Sequence, residues 1–151
     1  MDPQRNLQLL VEGDRRLVMI HTQQSQHVLD LFQRYGRLTG KAVYHWAPEQ
    51  GLKRLGIGHI SIPKTERGGE ALDYIRSTRH FGVYVLDQFA PELQVASSQE
   101  TLRHIATDGG SQTVVVLDPE PSVPESLDGL VIQARHTHSQ PRLRHGRWVT
   151  E

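Results

Sequence analysis

Two stretches of this 151-residue chain hold residue types that could do chemistry on a nucleotide. The first is Thr22, Gln23, Gln24, Ser25 and Gln26, which follow the apolar run LVMIH and lead into a helical pattern. A helix N-terminus favours an anion through its dipole and free N–H groups, so this turn is a candidate for nucleotide binding. A working phosphate loop demands more: glycines that let successive amides wrap the phosphates, then a Lys and a Ser or Thr for the terminal phosphate and magnesium. None of these residues stands here. What the turn offers is helix capping by Thr22 or Ser25, and at most weak phosphate binding. The second candidate is Asp87, at the end of FGVYVLD. Open α/β sheets bind ligands at the carboxyl ends of their strands, where an acid can hold a metal or a ribose. Gln88 follows, so no adjacent glutamate can activate water, and capping of the next turn is the plainer role for Asp87.

Other motifs carry less. The segment GRLTGKA, residues 36–42, resembles a phosphate loop but has three residues between its glycines where four are needed. It ends in Ala, follows a helix and precedes a strand, so it reads as a helix-to-strand turn. His136, His138 and His145 form a polar, basic end with Arg135, Arg142, Arg144, Arg147 and Trp148. With no matching acid or cysteine, these histidines read as solvated rather than as metal ligands. His21, His45, His59, His80 and His104 are scattered, with no serine or acid in a catalytic arrangement. No catalytic residue and no metal site is expected, and the basic end is too short to make nucleic acid the expected partner.

Composition agrees with a plain globular domain. Seventeen Lys and Arg balance 17 Asp and Glu, so no global field selects nucleic acid, acidic substrates or membrane. The absence of cysteine removes disulfides, thiol nucleophiles and Cys-ligated metals. The amino terminus is too polar for a signal peptide, and no apolar run spans a bilayer, so the expected setting is the cytoplasm.

The elements that must position these residues alternate in type. Asp2 and Pro3 start a short helix bearing Leu7, Leu10 and Val11 on one face, ended by Gly13. Strands are expected at 17–21, 42–46, 81–86, 113–117 and 130–133. Helices are expected at 24–35, stopped by Gly36, at 69–77, and after a capping box formed by Ser97 and Glu100. Residues 47–68 read as irregular, with a small edge strand near 57–62. The alternation predicts a three-layer α/β domain with a mostly parallel five-stranded sheet over residues 1–134, P-loop-like without a phosphate loop, followed by a basic flexible tail, 135–151.

The order of segments is similar to a known family. The runs RRLVMIHTQQSQHVLDLFQRYGRLTGKAVYHWAPEQGLKRLG, GGEALDYIRS, FGVYVLDQFAPEL, LRHIA and QTVVVLDPEPSVPESLDGLVIQ together resemble the amino-terminal domain of AAA+ ATPases of the chloroplast-hypothetical-frame (ycf) type. The likeness covers residues 7–134 and lies in motif order: a strand ending in a hydroxyl residue before VLDLF, the aromatic strand VYHW before Gly51 and Leu52, EALDYI, VLDQF, and the turn from Pro124 to Leu127. Residues 54–68 are longer than the corresponding connection in that family. The resemblance implies a RecA-like domain that has lost its phosphate loop, with the active ATPase module downstream, so ATPase activity is not carried over.

The leading expectation is therefore a non-catalytic interaction or regulatory domain, with a protein partner or self-association, and no cofactor beyond weak nucleotide binding. One alternative is a nucleotide-binding protein using Thr22, Gln23, Gln24, Ser25, Gln26 and Asp87. Another is a receiver-like signalling domain, since a five-strand α/β unit can hold a phosphorylatable aspartate, and Asp87 and Lys41 are the residues that keep this reading open. His21 and Thr22 argue against that reading, because they stand where such a domain keeps an acidic pair.

Overall fold

The computed structural model describes residues 2–57 and 60–137, and the backbone of 142–144 and 147–149. A six-stranded sheet carries the domain. Its strands are β1 (Leu17–His21), β2 (Val43–Ala47), β3 (Gly51–Arg54), β4 (Gly82–Asp87), β5 (Gln112–Asp118) and β6 (Val131–Arg135), and they lie side by side as β3-β2-β4-β5-β1-β6. All neighbours pair in parallel except β3, which pairs antiparallel with β2. The expected RecA-like α/β architecture is thus present, with five parallel strands and one additional antiparallel edge strand. The backbone of Arg142–Arg144 (β7) and Arg147–Val149 (β8) forms a separate antiparallel pair.

Four helices cover the sheet: α1 (Pro3–Val11), α2 (Ser25–Thr39), α3 (Gly68–Ser77) and α4 (Ala96–Thr107). Alternation along β1 divides the core into two layers, since successive strand residues face opposite sides. Val18 and Ile20 pack with Val28 and Phe32 of α2 and Leu7 of α1. Leu17 and Met19 pack with Leu72 of α3 and Leu102 of α4. The crossover β1-α2-β2 runs one way across the sheet and β2-α3-β4 runs back. Right-handed crossovers of opposite direction put their helices on opposite faces, which is why α2 and α3 end up on different layers.

Several boundaries move from their expected places. Gly36 lies inside α2, which continues to Thr39 and ends where Gly40 takes a left-handed conformation, φ 73°. The added antiparallel strand is 51–54; of the described residues in 57–62, Ser61 contributes one isolated bridge to Lys53. The capping box of Ser97 and Glu100 does not form, because α4 begins at Ala96 behind Val95 with no side-chain cap. Glu100 instead pairs with Arg103 and His104.

Lys41 of the GRLTGKA segment is held at the amino-terminal edge of the sheet. Its Nζ lies 3.1 Å from Glu12 Oε2, and the Tyr35 hydroxyl donates to the same oxygen at 2.9 Å. Lys41 and then Tyr35 hold the Glu12 carboxyl below the usual carboxylate range. Asp87 ends β4 at the opposite edge, so Lys41 and Asp87 do not share a site. Taken in chain order, the five parallel strands run 2-3-4-1-5 across the sheet. A receiver has the flavodoxin-like order, in which the first strand sits between the second and third, so the receiver reading is overturned.

Candidate functional site

The first turn stands at a topological switch. Helix α2, which follows β1, covers one face, whereas the turn after β5 packs Leu127 into the other layer. In open α/β sheets, the crevice outside the carboxyl ends of such adjacent strands is where ligands bind. Here it is bounded by His21 and Thr22 after β1 and by Asp118 at the end of β5, with Thr22 N–H donating to the Asp118 carbonyl at 2.9 Å.

Thr22 is buried, at 3% exposure, and its hydroxyl organises the turn. Oγ1 accepts from Gln24 N–H at 3.0 Å, a local bond two residues on that precedes the helix rather than capping it. Ser25 is the first helical residue, and the capping position falls to Gln24, whose side chain makes no capping bond. Gln23 is exposed, and Gln26 donates to Asp30 at 2.9 Å along the outer face of α2.

Residues from the far end of the domain meet this turn. His136, just past β6, places Nδ1 2.8 Å from Thr22 Oγ1 and Nε2 2.8 Å from His27 Nδ1. Its N–H also donates to the His21 carbonyl at 2.8 Å. An imidazole bridging a hydroxyl and a second imidazole uses both ring nitrogens, so one histidine must donate where the other accepts. Beside them, His21 Nε2 contacts Gln133 Oε1 at 2.8 Å, and Glu120 lies 3.7 Å from His21 Nδ1 and 3.4 Å from Arg135 Nη1. Glu120 is largely exposed, so these ion pairs contribute little. Arg135 and His136, expected in a flexible tail, belong to β6 and to this cluster; His138 and His145 lie outside the described residues.

Asp87 is not part of the cluster. Its strand is separated from β1 by β5, so it stands about 10 Å away along the sheet edge. Its Oδ2 lies 3.3 Å from His45 Nε2 on β2, with both side chains mostly buried. Gln88, directly after it, has a positive φ of 55°, which turns the chain sharply toward buried Phe89. His27, His136 and Asp118 were not legible as site residues. Thr22 and His136 are 114 positions apart, and no local spacing connects them. Asp118 did carry a signal, since TVVVLD ends as VYVLD does, in an acid at a strand's carboxyl end.

The profile of a family described as the SpoVK-like AAA ATPase, N-terminal domain, matches residues 3–136. The chain belongs to this family. No curated protein matches the chain. The matched stretch of the SpoVK-like domain ends at His136, the residue seated on the first turn. Among the described residues, no helix of this SpoVK-like domain is long and apolar enough to cross a membrane.

Proposed function

We propose that this chain is a non-hydrolysing interaction or regulatory domain of an AAA ATPase system, acting through a protein partner or through self-association. The observation that carries this reading is the occupancy of the first turn by the protein itself. A phosphate cradle works because unpaired amides and a mobile cationic side chain meet the ligand. In this domain the turn has no glycine and no lysine, and its one buried hydroxyl is engaged by Gln24 and His136. An anion at Thr22, Gln23, Gln24, Ser25 or Gln26 would have to displace the His136 ring from Thr22 and His27. Asp87 is turned toward His45 and stands two strands away from the turn, so it brings no carboxylate to Thr22. Membership of an N-terminal domain family supports a role alongside an ATPase module rather than as one.

The test is direct. The purified chain with magnesium and ATP is expected to release no phosphate above the uncatalysed background, and millimolar ATP is expected to leave the amide resonances of residues 22–26 unmoved. Steady turnover, or saturable shifts confined to those amides, would overturn the reading in favour of nucleotide binding at the turn. His136→Ala is expected to destabilise the domain by about 1–2 kcal/mol through the lost hydrogen bonds, measured by urea unfolding. It should move the resonances of Thr22 and His27 without creating hydrolysis.

A further inference from the structure

We infer that the amino-terminal edge of the sheet, opposite the first turn, holds an anion site that takes the phosphate groups of a small soluble ligand. Two cavities, of about 350 and 380 Å³, lie side by side there and share Gly110, Ser111 and Gln112 as a common wall. One is flanked by Arg76 and Arg79, the other by Arg15 and Arg16. Among the described residues, none of these four arginines has a carboxylate within 4.0 Å. A chain with no net charge thus gathers four guanidinium groups, none in a salt bridge, around one short loop.

The loop is built to present backbone donors. Asp108 closes α4 at φ −82°, ψ 5°, and Gly109 follows at φ 72°. A right-handed residue followed by a left-handed one makes successive amides converge into an anion-binding nest. Among the described residues, the N–H groups of Gly109, Gly110 and Ser111 donate to no backbone acceptor, although the helix end would ordinarily supply one. A side chain at Gly110 would have to push aside the Gln112 amide, whose nitrogen donates to the Thr78 carbonyl.

Arg16 joins the loop to the charge. Its Nη1 would lie 3.5 Å from a Cβ on Gly110, and that nitrogen is buried with no hydrogen-bond partner. A buried guanidinium nitrogen left unpaired costs free energy that a bound oxyanion would recover. The carboxylates of Asp108 and Asp14 line the cavities and oppose an anion here, but the four arginines outnumber them, and Glu12 is taken up by Lys41 and Tyr35. The fork geometry of arginine takes up phosphate oxygens in pairs, and cavities of about 350 and 380 Å³ are of the size that holds a small molecule rather than a peptide segment.

Titration of the full chain with pyrophosphate, against chloride at matched ionic strength, tests the site. Saturable binding with a Kd of about 1 mM or tighter is expected at low salt, with amide shifts at Gly109, Gly110 and Ser111 and none at residues 22–26. Arg16→Gln is expected to weaken binding at least about tenfold. Should that variant fail to fold by circular dichroism, the exposed Arg79→Gln carries the comparison with the same direction of effect. No binding at about 10 mM pyrophosphate, binding indifferent to both substitutions, or shifts confined to residues 22–26 would each overturn the site. So would binding of polyglutamate or of phosphatidic-acid vesicles with pyrophosphate silent. None of these outcomes bears on whether the domain hydrolyses ATP.

Discussion

Phe89→Ala is expected to remove about 3–5 kcal/mol of stability, a large share of the roughly 5–15 kcal/mol that holds a domain of this size folded. Phe89 is fully buried in the layer beneath α3 and α4, and its ring meets Trp46 edge-on at a centroid separation of 5.3 Å. Truncation leaves a cavity walled by rigid elements. Gly68, the first residue of α3, approaches so closely that a Cβ there would stand 3.0 Å from Phe89 Cε1, so neighbours are already in contact and cannot close a ring-sized gap cheaply. The same substitution reaches Asp87 and its contact with His45, because Phe89 anchors the turn that starts at Asp87 and Gln88. Urea unfolding should show a midpoint shift with an unchanged slope, and Asp87 and His45 resonances should broaden or move. A loss below about 1 kcal/mol would mean that the site collapses, and that the packing drawn around Trp46 is wrong.

Raising the pH above about 10 is expected to unfold the domain steeply, because two core tyrosines resist ionisation. Tyr35 and Tyr84 are 1% and 2% exposed. Burial, followed by the hydrogen bond and charge of Glu12, pushes the Tyr35 hydroxyl well above its ordinary value. Burial, followed by the neighbouring Tyr44, does the same to Tyr84. An acid whose folded pKa lies above its unfolded one contributes stability that is complete below the unfolded pKa and is lost as pH climbs toward the folded one. Each such tyrosine costs about 1.4 kcal/mol per pH unit above 10, so the pair removes nearly 3 kcal/mol per unit. Urea midpoints measured from pH 8 to 11.5 should stay flat and then fall. Tyr35→Phe keeps the ring, loses the bond to Glu12, and should reduce the alkaline slope by about half. A midpoint indifferent to pH across that range would show that these hydroxyls reach solvent.

The layered plan was legible because burial leaves a periodic mark. Leu17 to Ile20 and the valines of β5 are apolar without alternation, which only a strand covered on both faces requires. Val28, Phe32 and Tyr35 repeat at helical spacing, which only one buried face of a helix requires. Tertiary contacts override local preference at particular boundaries. Gly36 could stop a helix but is carried through by packing near Val43, and Gly40 stops it instead. The strand GLKR has little β character of its own. It forms because Trp46 and Leu52 pair across the hairpin, and because Thr65 accepts the Leu52 N–H at 2.9 Å.

The site divides along the same line. The types of residue at the first turn, a hydroxyl without glycine or lysine, are a matter of sequence, and they alone argue against a phosphate cradle. What fills the turn instead was decided only when β6 docked beside β1, since that pairing sets His21 against Arg135 and delivers the next residue, His136, to Thr22 and His27. The edge arginines and the Gly109–Gly110 loop likewise come from three separate helix-to-strand connections that meet because the strands between them are parallel. Contacts between positions more than a hundred residues apart depend on strand order and register, and neither leaves a signature in the spacing of a single chain.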